Sequence, residues 1–201
     1  MKIRNQILVP VVTATAIALL IAFVVLDFVF RNETSRNLTE ATSAQIDGIH
    51  EHEQQVTAQC LTLASLFSRA PVVQRAFAMA HEGSIEAEND EHAAKARKLL
   101  LAELGPFAEG YSAAMDGRSF RMHFHLPSGR SLLRLWKAKQ NTSDDLSGFR
   151  QTVLDINRGN HEPITGIEVG RGGFAIRGIA AVTAPDGRHL GSVEVLSDYL
   201  P

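Results

Sequence analysis

Cysteine is almost absent: Cys60 stands alone, so no disulfide can form within the chain and any folded part must hold by packing. Cys60 falls in an apolar helical register, where filling a core is its expected role. An excess of positive charge is lacking too. With 20 basic and 22 acidic residues the formal net charge is −2, and a basic face for nucleic acid is not provided. No G-x-S-x-G, H-E-x-x-H, Walker or dinucleotide-binding pattern occurs, and Cys60 has none of the neighbours that activate a nucleophile. The chain is therefore not expected to be an enzyme, and no cofactor is expected. Asn32-Glu33-Thr34, Asn37-Leu38-Thr39 and Asn141-Thr142-Ser143 fit the glycosylation pattern, which is short enough to recur by chance.

Charge is also missing from one long run. Ile7 to Leu26 holds no charged residue, and only Asp27 interrupts the run before Phe30. A hydrocarbon core of roughly 30 Å is crossed by about 20 apolar residues, which makes this a transmembrane helix. A long cleaved signal peptide is the alternative; no A-x-A-like cleavage site follows closely, and either reading exports what comes after. Lys2 and Arg4 precede the span and Arg31 follows it, a weak bias that leaves the short N-terminal tail in the cytoplasm. The expected layout is a tail over 1–6, a single span of the bacterial inner (cell) membrane over 7–30, and a periplasmic or extracellular remainder. That remainder, about 170 residues, suffices for one domain with its own core.

From Arg31 to Ser68 there is no proline, and Leu38, Thr42, Ile46, Ile49, Val56, Cys60, Leu63 and Phe67 recur at steps of three and four. This predicts a long amphipathic helix over 31–70 whose stripe packs either on its own domain or on a second copy, as a homodimer. His50 and His52 point about 200° apart on such a helix and cannot share a metal. Pro71 opens a second helix through Met79, closed by His81-Glu82-Gly83-Ser84. Glu86 to Leu104 reads as a third, stopped by Gly105-Pro106.

After Gly110 the pattern changes. Ser119 to Leu126 alternates, with Phe120, Met122, Phe124 and Leu126 on one side and Arg121, His123 and His125 on the other. Pro127-Ser128-Gly129 predicts a tight turn with glycine at the positive φ, and Ser131 to Lys137 a returning strand. Asp144 to Arg158 predicts a helix capped by Ser143-Asp144-Asp145, with Leu146, Phe149, Val153 and Ile156 inward and Gly159 as the stop. Strands follow over 164–169, 174–183 and 189–196, the last two joined by Pro185-Asp186-Gly187. The sum is an α+β domain over 71–201, built on an antiparallel sheet.

Three stretches carry a resemblance: Phe124-His125-Leu126-Pro127-Ser128-Gly129-Arg130-Ser131-Leu132-Leu133-Arg134-Leu135, Asp145-Leu146-Ser147-Gly148-Phe149-Arg150, and Gly166-Ile167-Glu168-Val169-Gly170-Arg171-Gly172-Gly173-Phe174-Ala175-Ile176-Arg177-Gly178. They resemble the double Cache (dCache_3-like) extracytoplasmic sensory domain of bacterial chemoreceptors, sensor kinases and diguanylate cyclases, over roughly residues 60 to 198. The resemblance implies a PAS-like fold and small-ligand sensing, in which binding alters the packing of long helices in a dimer. A second module, a return membrane helix and an output segment are expected in that family and are not found here, which suggests a fragment or a single-module variant.

The residues expected to touch a ligand are Arg134, Trp136, Arg177, His125, Glu168 and Arg121. Arg134 and Trp136 share a strand face by alternation. If Pro127-Ser128-Gly129 is a three-residue loop, Arg134 joins Phe120, Met122 and Phe124; if Ser128-Gly129 alone turns, it joins Arg121, His123 and His125. Arg177 and Glu168 are charges in segments otherwise fit for burial, and an unpaired buried charge is costly. Either Glu168 or Glu194 pairs with Arg177 or Arg134, or one arginine stays free to fork onto a ligand carboxylate. Both hairpin registers suit a ligand that is anionic or amino-acid-like. Arg171 reads as a solvated turn residue. His123 and His125 could share a metal, but no third ligand stands at readable spacing, so no metal is expected. Two rivals remain: a membrane-anchored metal-dependent enzyme using His123 and His125 with Glu168 or Glu194, and a ligand-free structural tether.

Overall fold

The computed structural model describes residues 2–140, 143–170 and 173–198. Arg171 and the Asn141-Thr142 pair lie outside the described residues. The chain divides into two compact units, Met1–Glu51 and His52–Pro201. The first is helix alone, part of α1 (Lys2–Ser68), with a mean hydropathy of 2.7 over its most apolar window. By length and composition this helix is able to cross a membrane.

In the second unit the end of α1 is followed by α2 (Pro71–Ala80), α3 (Glu91–Ala114), β1 (Met122–His125), β2 (Ser131–Arg134), a 3-10 segment (Leu135–Gln140), α4 (Gln151–Arg158), β3 (Ile164–Gly170), β4 (Gly173–Thr183) and β5 (His189–Asp198). Pro71 stands at the start of α2, where its missing N–H costs nothing. Asp90 caps α3 by accepting from the Ala93 amide at 2.9 Å, which starts that helix at Glu91 instead of Glu86. Gly105-Pro106 does not stop α3, which runs on to Ala114. A proline removes one backbone donor, and at a surface with open space around Gly105 the helix absorbs that loss.

The fold is α+β. The strands form one antiparallel sheet in the order β2-β1-β5-β4-β3. Its first face carries Met122, Phe124, Ala180, Val182, Val193 and Val195, packed with Cys60 and Ala64 of α1, Phe77 of α2 and Leu100 of α3 in the main core. Cys60 is buried there, as its register predicts, and burial pushes its thiol up to about 11. The α1 stripe is therefore divided: Cys60 is core and Val56, Leu63 and Phe67 are half-buried against it, whereas Leu38, Ile46 and Ile49 are exposed.

The second face is also covered. Val153 and Ile156 of α4 pack on Ile179 and Ala181, and beyond that apolar patch the face is polar and buried. Burial on both faces is why every residue of β1, His123 and His125 included, is inaccessible. The alternation over Met122–His125 therefore separates an apolar from a polar interior.

The helix predicted from Asp144 begins only at Gln151. Its expected capping segment is held elsewhere: the Ser131 amide donates to the Asp144 carbonyl, the Leu146 amide to the Gly129 carbonyl, and the Asp145 carboxylate accepts from the Ser147 amide. Phe149, predicted inward, is exposed.

Candidate functional site

Both readings of the hairpin register capture part of it. The Leu126 amide donates to the Arg130 carbonyl at 2.8 Å and Gly129 has φ of 89°, so the turn is the three-residue loop. His125 then pairs with Ser131, but Phe124 pairs with Leu133 and His123 with Arg134. Leu132 is an extra residue, a bulge that flips the strand after it. The bulge moves Arg134 off the apolar face and onto the face of His123 and His125.

Strand β2 ends at Arg134, so Trp136 is not a strand residue as expected. It lies on the 3-10 segment, and its ring meets His123 edge-on with centroids 5.9 Å apart. Arg134 forks onto Asp144 through Nη1 and Nη2 at 2.8 and 2.9 Å, both residues being partly buried. The choice left open between a paired and a free arginine falls to pairing.

Behind this pair lies a denser network. Glu194 on β5 is fully buried, and its Oε1 accepts from Arg150 Nη2 at 2.5 Å and Arg177 Nη1 at 2.9 Å. Arg150 also donates through Nε to Glu168 Oε2 at 2.6 Å, and that carboxylate accepts from the Thr152 hydroxyl at 2.9 Å and lies 3.8 Å from Arg177 Nε. Glu194 Oε2 faces His123 Nδ1 and His125 Nε2, each at 3.5 Å. On their other sides His123 Nε2 meets the Ser131 hydroxyl at 2.8 Å and His125 Nδ1 the Ser192 hydroxyl at 3.3 Å. Arg134, Arg150 and Arg177 are matched by Asp144, Glu168 and Glu194, so the network is formally neutral.

Burial pushes the Glu194 carboxyl up, but Arg150, the two imidazoles and Arg177 outweigh it and hold the group well below the usual carboxylate range. Burial also depresses both rings, His123 to about 4 and His125 well below its ordinary value, and keeps them neutral. Arg150 is held charged, its own burial outweighed by Glu194 and Glu168.

Of the residues expected to bind, the structure brings Arg134, Trp136, His125, Glu168 and Arg177 to this one face. Arg121 is placed elsewhere: it lines a cavity of about 590 Å³ with Cys60, Leu63, Tyr111, Arg118 and Phe120. Arg150, the hub of the network, was missed. Its signal was readable, because it stands four residues after Leu146 and three before Val153, a charge within the apolar stripe.

A second polar cluster borders α4. The rings of His161 and His189 stack at 3.8 Å, and His189 Nε2 meets the Asn157 amide oxygen at 2.9 Å. Burial, then the neighbouring His161 and His81, lowers His189 to about 4. A histidine depressed in the folded state takes up its proton on unfolding, so its stabilising contribution is complete above the unfolded value of about 6.5 and is lost as pH falls from there to about 4. The thermal midpoint is expected to drop across that window, and less steeply in His189→Asn. Equal slopes for the two proteins would refute the assignment.

The end of α1 thus lies against one face of the sheet and a closed charge network is held within the other. Residues 64–198 match dCache_3, the family described as the double sensory domain of two-component sensor kinase, and the chain belongs to it. It thus carries a sensing domain for signal transduction, and the domain family is not a catalytic one. Among solved structures it resembles an extracellular ligand binding receptor from Desulfohalobium retbaense, with 15% identity and a TM-score of 0.41 over 74% of this chain and 24% of that one. It also resembles the sensory domain of the Campylobacter jejuni chemoreceptor Tlp3 with isoleucine bound, with 15% identity and a TM-score of 0.41 over 78% of this chain and 62% of that one. The same Tlp3 domain in complex with L-valine aligns at 15% identity with a TM-score of 0.38. The chain spans less than two thirds of the length of these structures. No curated protein matches it.

Proposed function

We propose that this chain is the ligand-receiving part of a bacterial transmembrane receptor, anchored in the inner membrane by residues 7–30 with its sensory domain outside. The ligand is a small carboxylate, amino-acid-like where it also carries an ammonium group. The observation that carries this reading is the Arg134–Asp144 fork beside Trp136 at the partly buried rim of the polar face. A guanidinium already held for bidentate contact is oriented to accept a ligand carboxylate in place of Asp144. The released Asp144 is then available to a ligand ammonium, and the segment that carries it takes a second arrangement. Sensing requires such a pair of arrangements, one favoured by the ligand. Arg177, Glu168 and His125 support this rim through Glu194 and do not themselves contact the ligand. The exposed Leu38, Ile46 and Ile49, at near-heptad spacing, are proposed to meet a second copy of the chain and form a homodimer.

Thermal unfolding of the full chain in detergent micelles, with a panel of amino acids and small organic acids, tests this reading. A ligand at 100 times its Kd adds about 2.7 kcal/mol, or about 5–10 °C for a chain of this size. At least one compound is expected to give such a shift, and Arg134→Ala to abolish it. An unresponsive panel would refute the site and favour the ligand-free tether, and a shift that survives Arg134→Ala would refute the site by placing the ligand elsewhere.

A further inference from the structure

We infer that His123 Nδ1, His125 Nε2 and Glu194 Oε2 form a binding site for one divalent transition-metal ion of the zinc class. The three side chains present ligand atoms within 4.8 Å of one another. The carboxylate oxygen stands 3.5 Å from each ring nitrogen. Ligand atoms on a tetrahedral zinc, with bonds of about 2.0–2.1 Å, lie about 3.3–3.5 Å apart, so both edges have the length that a shared ion would set. Among the described residues His125 Nε2 and Glu194 Oε2 have no hydrogen-bond partner although both are buried. Buried polar atoms left without partners are rare in folded proteins and call for an explanation such as an ion.

The surroundings are those of a supported ligand set. Ser131 and Ser192 sit on the far nitrogens of the two rings and fix which nitrogen faces inward. Arg150 and Arg177 hold the other oxygen of Glu194 and thereby orient Oε2. Two imidazoles and one carboxylate suit zinc, copper or nickel, whereas magnesium and calcium demand oxygen ligands. Since the charge network is already neutral, a divalent ion adds two positive charges, of which a hydroxide or other monoanion taken up as fourth ligand would cancel one. This inference is independent of the Arg134 site and does not require that any amino acid bind.

The full chain in detergent micelles, stripped with a chelator, is titrated with Co²⁺ and then Zn²⁺. One equivalent of Co²⁺ is expected to give the visible absorption of a low-coordinate site, and Zn²⁺ to displace it. Imidazole ¹⁵N NMR of the Zn²⁺-loaded chain is expected to show coordination through Nδ1 of His123 and Nε2 of His125. His123→Gln and His125→Gln should weaken Co²⁺ by more than about 100-fold, while His189→Gln leaves it unchanged. No stoichiometric binding, coordination through other histidines, or wild-type affinity in either folded variant would overturn the site. The NMR readout holds even if the variants fail to fold.

Discussion

Glu194→Ala is expected to lower the stability of the sensory domain by about 3–5 kcal/mol, the usual effect of removing one partner from a buried ion pair. Glu194 is fully buried and serves two guanidiniums, so its loss leaves Arg150 with Glu168 alone and Arg177 with a contact of only 3.8 Å. Urea unfolding followed by the fluorescence of Trp136, the single tryptophan, reports on the same neighbourhood. A fall below about 1 kcal/mol would show that the network is worth no more than a surface pair such as Arg36–Glu40. The combined replacement Arg150→Met, Arg177→Met, Glu168→Gln and Glu194→Leu should recover much of the loss, because it leaves no charge of the network without its partner and an apolar substitute carries no desolvation cost. Such a protein would be stable while lacking the polar face. That separates what the network does for folding from what it does for sensing.

Much of this was legible in the sequence for identifiable reasons. Element types followed from periodicity, and the positive φ of Gly129 from turn chemistry. What misled were places where a tertiary contact overrode a local signal. Ser143-Asp144-Asp145 has the composition of a helix cap, but Arg134 claims Asp144 and the edge of β2 claims the backbone around it. Phe120, Met122 and Phe124 required a wholly apolar face while the turn required the register that breaks it, and one inserted residue, Leu132, satisfied both. A bulge leaves no mark in composition. His123 and His125 lacked a third ligand because Glu194 reaches them only by strand pairing, His123 opposite Glu194, across a long separation in sequence. Arg150 was the avoidable omission, since a charge in an apolar helical stripe is as informative as the one noticed at Arg177.

Gly178→Ala is expected to be comparably damaging, for a reason lodged in backbone instead of charge. Gly178 lies on β4 opposite Val195, on the face that receives α1. A Cβ built there falls on the backbone nitrogen and Cα of Leu61 and on the carbonyl carbon of Cys60, well inside van der Waals contact. Overpacking against side chains typically costs about 1–3 kcal/mol. Here no side chain can rotate away, so the helix itself must lift and part of the core around Cys60 and Ala64 must open. A loss of at least about 3 kcal/mol in the urea transition is expected, the upper end of that range. Faster oxidation or alkylation of Cys60, buried in the wild type, should accompany it. A stable variant with an unreactive Cys60 would mean that α1 tolerates displacement from the sheet. The consequence reaches function, because the polar face and the helix occupy opposite sides of the same strand: Arg177 faces the charge network and Gly178 faces α1. In the mode of sensing proposed above, a change in the network acts on β4, and the absence of a side chain at Gly178 lets α1 rest directly on that strand.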